Sequence, residues 1–240
     1  MIISAKENIE KFLHNLSAGN FVSRKIIGEY NTYKDTDISS FFVLNELSLM
    51  IMGENMSVSG VPSSDELEEI ISFCSFMGIY GLECESGNLP IKTKITMNLM
   101  SFVDETPFTD EEFCKNTNIY GFSKFCRQNF QGVSFETVYS YFAKKVNKGL
   151  SDIYYIKKGG DIVSGLMASD YGTDIYLTFV STDKKYRAKG HASRLIRCVA
   201  AQYDKNCILI CENNLLNFYT NLGFEKKGEI YLYRLREENI

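Results

Sequence analysis

The segment from Asp174 to Tyr203 constrains this chain more than any other. A strand-forming run, Asp174–Val180, enters a polar loop, and the loop gives way near Gly190 to a helix. Ala192, Leu195, Ile196, Val199, Ala200 and Tyr203 recur at helical spacing, so one face of that helix must be buried. A strand and an amphipathic helix joined in this way demand a layered fold, with helices packed on a sheet. The loop between them is basic: Lys185, Arg187 and Lys189 place three cations within five residues. Helix N-termini leave backbone N–H groups without partners and carry positive partial charge. Gly190 lets the chain turn closely and Ala192 leaves room behind it, which makes the segment an anion cradle. It is neither common phosphate loop. The Walker pattern needs two glycines and Lys-Ser/Thr, and the dinucleotide fingerprint needs three glycines.

The remaining chain divides near Val103–Thr109, which predicts two domains, residues 1–105 and 106–240. In the first, Lys6–Leu16 reads as a short helix, and Phe41–Leu44, Leu47–Met52 and Met56–Gly60 read as strands. Ser63 and Glu66 form a capping-box signature that opens a helix bearing Leu67, Ile70, Ile71, Cys74 and Met77. Strands follow at Ile79–Glu85 and Ile91–Phe102, giving a small α+β unit. The second domain restarts with a capping box at Thr109 and Glu112 and helices over Ile119–Asn129 and Ser134–Lys148. A hairpin pairs Ile153–Ile156 with Ile162–Ala168, and Asp174–Val180 is a third strand. After the helix at Gly190–Tyr203 come a buried strand, Cys207–Cys211, a short helix, Asn213–Leu222, and a last strand, Glu229–Arg236. The order is α-α-β-β-β-α-β-α-β.

The loop Arg187-x-x-Gly190-x-Ala192 resembles the acyl-coenzyme A pyrophosphate loop of the GNAT-type N-acetyltransferases, whose pattern is Gln/Arg-x-x-Gly-x-Gly/Ala. At the matching distance, Tyr219-x-x-x-Gly223-Phe224 resembles the ending that follows that family's fifth strand. The resemblance covers about residues 109–236. It implies an α/β (α+β) fold whose mixed, mostly antiparallel sheet is flanked by helices, with acetyl-coenzyme A as cosubstrate. It also implies that the fourth and fifth strands splay to admit the pantetheine arm, hydrogen-bonded by main-chain groups of Phe179, Val180 and Ser181. The amides of Arg187, Ala188, Lys189, Gly190, His191 and Ala192 would hold the pyrophosphate, with Ser193 close behind. Tyr219 would protonate the leaving thiolate, or else anchor the last helix, and Asn214 would brace the arm or cap that helix. Two positions depart from the family pattern. Lys184 stands where proline is usual, and Glu212 where asparagine is frequent. Glu212, Asp170 and Asp174 are rival candidates for a general base, and the base is left unassigned. The side chain of His191, at a variable loop position, is expected to be solvated. The first domain has no such loop, is expected not to bind coenzyme A, and resembles a degenerate copy of the same fold.

Composition closes off other classes. Across 240 residues, 45% hydrophobic and 23% charged, a disordered or fibrous chain is excluded. The longest apolar run, Cys207–Cys211, is far short of the roughly twenty residues of a membrane helix, so no membrane association is expected. Met1–Phe12 has no apolar h-region, and the expected address is the cytoplasm. A net charge of −4 argues against nucleic acid and leans towards a cationic acceptor such as a polyamine or aminoglycoside. Seven cysteines without a C-x-x-C pair, and only two histidines, predict buried thiols and no metal. The even spacing of Cys207 and Cys211 makes both core residues, and Tyr231 and Tyr233 read as packing or as an acceptor-pocket wall. The activity that the resemblance implies is transfer of an acetyl group to a primary amine, of a small molecule or a peptide, directly within a ternary complex. The alternative is a catalytically silent coenzyme A-binding or regulatory protein of the same fold. The first domain would cover the acceptor site, pair with the second domain's sheet, or form a homodimer.

Overall fold

A computed structural model describes residues 1–103, 113–130 and 134–235. The capping box at Thr109 and Glu112, most of the boundary segment and Arg236 lie outside the described residues. The chain forms two compact units that are not consecutive in sequence. The first comprises Met1–Leu99, Ile210–Leu216 and Lys227–Ile240, the second Met100–Leu209 and Asn217–Lys226.

In the first unit, helices α1 (Ile9–Asn15) and α2 (Phe21–Tyr33) precede strands β2 (Ser39–Leu44), β3 (Leu47–Met52) and β4 (Asn55–Val58). A two-residue strand, β1 (Ile3–Ser4), edges β2, and α3 (Ser64–Met77) leads to β5 (Gly81–Cys84). Strands β2 to β4 pair antiparallel, whereas β4 and β5 pair parallel. Alternation in β2 puts its neighbouring phenylalanines on opposite faces. Phe41 meets Phe12 and Tyr30 of the first two helices, and Phe42 meets Phe73 of α3 at 5.1 Å. Helices therefore cover both faces of the sheet. Strand β6 (Thr93–Phe102) begins in this unit and ends in the other.

The second unit repeats the plan. After β7 (Phe113–Lys115), helices α4 (Ile119–Asn129) and α5 (Phe135–Asn147) precede β8 (Ser151–Lys158), β9 (Asp161–Asp170) and β10 (Asp174–Thr182). Helix α6 (His191–Ala200) leads to β11 (Asn206–Cys211), then α7 (Asn213–Asn221) and β12 (Phe224–Arg234). Pairing is antiparallel from β7 to β10 and parallel between β10 and β11. Tyr155 faces Phe122 of α4, while the Tyr154 hydroxyl on the other face meets that of Tyr203, just past α6, at 3.0 Å. The fold is thus mixed α/β with largely antiparallel strands flanked by helices, and the α-α-β-β-β-α-β order occurs twice.

Most predicted elements are present. Helix α2 is the largest that the sequence reading lacks, because its buried side includes Ser23, Gly28, Glu29 and Thr32, which blur the apolar stripe. Among the described residues no helix is long and apolar enough to cross a membrane.

Candidate active site

A short loop joins β10 to α6. Past Thr182, Asp183 accepts a hydrogen bond from the Lys185 amide at 2.9 Å and starts a single 3₁₀ turn, Lys184–Tyr186. Arg187 is extended and its Nε donates to the Thr182 carbonyl at 3.1 Å, so its side chain braces the loop. Ala188 and Gly190 both have left-handed backbone, with φ of 58° and 77°. Alternation of hand along successive residues turns their N–H groups towards one side, the geometry of an anion nest. Gly190 is the N-cap of α6 and, being glycine, makes no side-chain cap hydrogen bond. A Cβ at Gly190 would meet nothing within 4 Å, so open space faces the nest. Lys185, Arg187 and Lys189 are exposed around it.

The strand that delivers this loop is bulged. Thr178 pairs with Met167 and Ser181 with Gly165, leaving Phe179 and Val180 opposite the single residue Leu166. Phe179 takes φ of 53°, and a non-glycine residue at positive φ needs its surroundings to hold it there. Phe130, Tyr141 and Phe142 supply that support, their rings 5.5, 5.9 and 4.8 Å from that of Phe179. The parallel register of β10 with β11 runs from Asp174 opposite Asn206 to Tyr176 opposite Ile208. Strand β10 continues beyond Tyr176 to Thr182, carrying the bulge with it.

Residues 150–226 match the family model described as an acetyltransferase (GNAT) domain. Over those residues the chain carries a GNAT-type acetyltransferase domain. The GNAT fold extends to solved structures that span the whole chain. A tandem GNAT protein from the clavulanic acid biosynthesis pathway is 9% identical, with a TM-score of 0.63, covering 100% of this chain and 99% of that one. A Drosophila protein is 10% identical, with a TM-score of 0.66 and coverage of 98% and 97%. A GNAT-family acetyltransferase from Colwellia psychrerythraea is 9% identical, with a TM-score of 0.59 and coverage of 98% and 100%. The comparison with curated proteins gives no match.

Within the GNAT domain, Tyr219 sits on α7 and is 6% exposed, with its ring 5.5 Å from Phe224 and 5.0 Å from Phe218. Asn214, one turn earlier, is exposed, as is Glu212 at the end of β11. Asp170 is engaged elsewhere. It pairs with Lys205 at 2.7 Å and accepts from the Gly172 amide at 2.9 Å, the work of a turn residue. Asp174 is 7% exposed and lies five residues before Phe179, roughly 16 Å along an extended strand. Neither aspartate stands at the bulge, and no base is assigned.

His191 differs from expectation. It is 9% exposed, not solvated, because the first residue of α6 points inward beneath the 3₁₀ turn, its ring 6.2 Å from that of Tyr186. Tyr233 is 1% exposed, and its hydroxyl donates to the Ser86 carbonyl at 2.7 Å, which makes it a packing residue. Burial pushes the Cys207 thiol up to about 12, with the Asp174 carboxylate adding to the effect. Cys207 and Cys211 are both buried on β11, as core residues should be.

In the first unit the helix that follows β4 begins differently. Helix α3 is closed by Ser63, whose amide donates to Glu66 at 2.8 Å and whose Oγ accepts from the Glu66 amide. Burial opposes ionisation of Glu66, but hydrogen bonds from Ser63 and Asn45 hold its carboxyl below the usual carboxylate range. The Glu66 carboxylate therefore complements the positive end of α3. Between β4 and β5, Ser57 donates to Glu83 at 2.5 Å, and Lys25 of α2 pairs with the same carboxylate. That gap is filled.

Proposed function

We propose that the chain is an acetyl-coenzyme A-dependent N-acetyltransferase that acetylates a primary amine within a ternary complex. The observation that carries this reading is the glycine-capped N-terminus of α6 behind the Ala188–Gly190 nest, ringed by three cations. That donor set fits a pyrophosphate: backbone N–H groups converge, positive charge surrounds them, and open space lies above Gly190. Amides from Arg187 to Ala192 bind the pyrophosphate, with Ser193 behind, and main-chain groups of Phe179, Val180 and Ser181 hold the pantetheine arm. The bound thioester supplies the activated acetyl group. Phe179 fixes the bulge so that its N–H groups reach the reacting carbonyl, and most of the rate comes from holding amine and thioester together. Tyr219 gives its proton to the departing thiolate.

Isothermal titration of the whole chain with acetyl-coenzyme A tests the cofactor reading, and thiol release with a panel of primary amines tests the transfer. One equivalent per chain is expected, because the first unit carries no Arg-x-x-Gly-x-Ala loop and the Ser63–Glu66 capping box closes its α3. Two equivalents would overturn the account of that unit, and no heat or thermal shift at millimolar ligand would overturn the cofactor assignment. Binding without thiol release from any amine would instead favour the silent coenzyme A-binding alternative.

Tyr219→Phe keeps the ring packed on Phe224 and removes only the hydroxyl. Its kcat is expected to fall by about 10²-fold with little change in the KM for acetyl-coenzyme A, the size typical of a lost proton donor. An unchanged kcat would leave Tyr219 as an anchor for α7.

A further inference from the structure

The strands of the second unit present two different faces. Helix α6 and the nest at its start belong with the face of the Tyr154 hydroxyl, which Tyr203 meets just past that helix. The opposite face, that of Tyr155, is covered by α4 and α5. Phe179 points to this second face, where its ring meets that of Phe142 on α5 at 4.8 Å. A cofactor held at the nest reaches the bulge from the α6 side, which leaves the Phe179 side for an attacking amine. Three rings stand on that side, each half-buried: Phe130 at the C-cap of α4, Tyr141 on α5 and Phe179 itself. Phe130 and Tyr141 lie 5.5 and 5.9 Å from Phe179, centre to centre. Their inner sides pack on the core that holds Phe122, Phe142 and Met167, so their outer sides form an apolar wall beside the bulge.

Charge narrows what such a wall accepts. The last turn of α4 carries Arg127, within a turn of Phe130, and that of α5 carries Lys144 and Lys145, within a turn of Tyr141. Lys145 is buried, and its ammonium lies 4.9 Å from the centre of the Tyr141 ring. One side of that ring is thus already taken by a cation, the use of an aromatic face that an acceptor ammonium would otherwise make. The acidic residue of these two helices is Glu136, in the first turn of α5, at the far end from the lysines. An acceptor with several ammonium groups therefore meets like charge and apolar surface here. A single amine on an aromatic group instead buries its ring against others, at the offset or edge-to-face spacings that rings prefer. We propose that the acceptor is a primary monoamine carried on an aromatic group, which Phe130, Tyr141 and Phe179 select. This rests on the acetyltransferase reading above. It turns the acceptor class away from the polyamines and aminoglycosides that net charge alone favours.

The test compares three amines on the intact chain: phenethylamine, ethylamine, which lacks the ring, and spermidine, a polycation. Thiol release from acetyl-coenzyme A gives kcat/KM for each. Isothermal titration of each amine, with and without coenzyme A, gives affinity without turnover. Phenethylamine is expected to exceed both others by about tenfold or more in kcat/KM, the size expected when most of a phenyl ring leaves water. Phe130→Ala should shrink the preference for phenethylamine over ethylamine by about threefold or more, whatever it does to the overall rate, since one ring of the wall is gone. A ring that served only to hold the bulge would slow both amines alike in that variant, and this result overturns the proposal. So does a wild type that handles ethylamine or spermidine as well as phenethylamine, a comparison that stands even where Phe130→Ala fails to fold. Absence of thiol release from any amine would be a different failure, that of the transfer reading. The titration then decides the wall: tighter phenethylamine upholds it, and equal affinities overturn it.

Discussion

Replacing Gly190 with valine is expected to weaken acetyl-coenzyme A binding at least a hundredfold while lowering the melting temperature by only a few degrees. Two effects combine. Gly190 has φ of 77°, where a side chain is strained, and its missing Cβ faces open space over the nest. The strain is roughly 1–2 kcal/mol. In a protein of this size that lowers the melting point by roughly 2–8 °C. The affinity loss is larger because valine methyls occupy the space a phosphate needs and α6 cannot back away without losing its packing. A hundredfold change is about 2.7 kcal/mol, of the order of two charge-assisted hydrogen bonds. Gly172 supplies the control. It has φ of 84°, its Cβ would likewise meet nothing within 4 Å, and it lies in the turn before β10. Gly172→Val should show the same modest thermal loss with unaltered affinity. If Gly190→Val bound within threefold of wild type, the phosphate loop would be wrongly placed.

The same loop shows what a sequence can and cannot convey. Its strand, its cations and the amphipathic helix behind it are local patterns, and each stands where the periodicity put it. The cap at Ser63 and the helices α4 to α7 were legible for the same reason. Other features depend on partners distant in sequence. Phe179 and Ala188 adopt positive φ without being glycine, and only the aromatic rings around Phe179 explain why it stays there. Burial of His191 follows from the turn that covers it, not from its neighbours in the chain. Strand β12 shows the limit most clearly. Its residues predict a strand, yet nothing in them says that it pairs with β5, well over a hundred positions earlier.

That pairing yields the second large effect: a chain ending at residue 226 should fail to fold its first unit. Tyr231, Leu232, Tyr233 and Arg234 of β12 lie opposite Cys84, Glu83, Leu82 and Gly81 of β5. Ile230 and Tyr233 are 0% and 1% exposed, and Tyr233 is part of the core that holds Leu44, Leu49, Met56, Ile70 and Leu82. Its hydroxyl also accepts from the Leu89 amide at 3.3 Å, and the Leu235 amide donates to the Tyr80 carbonyl at 2.9 Å. Truncating one large buried side chain costs about 3–5 kcal/mol, and domains are stable by only about 5–15 kcal/mol. Losing Ile230, Tyr233 and the ladder beside them therefore exceeds what the unit can bear, and β5 is left as an open edge prone to aggregation. Hydrogen exchange provides the measurement, with amides of β2 to β5 expected to lose protection in the shortened chain. Tyr233→Ala should show an intermediate loss. Protection equal to wild type across Ser39–Cys84 would mean that the first unit is complete without its C-terminal strand. The expected outcome has a further consequence for separating the halves. A cut at residue 105 would leave β12 in a fragment that lacks β5, and would strip Phe102 from Phe224, whose ring it meets at 5.1 Å. Neither half is then expected to stand alone.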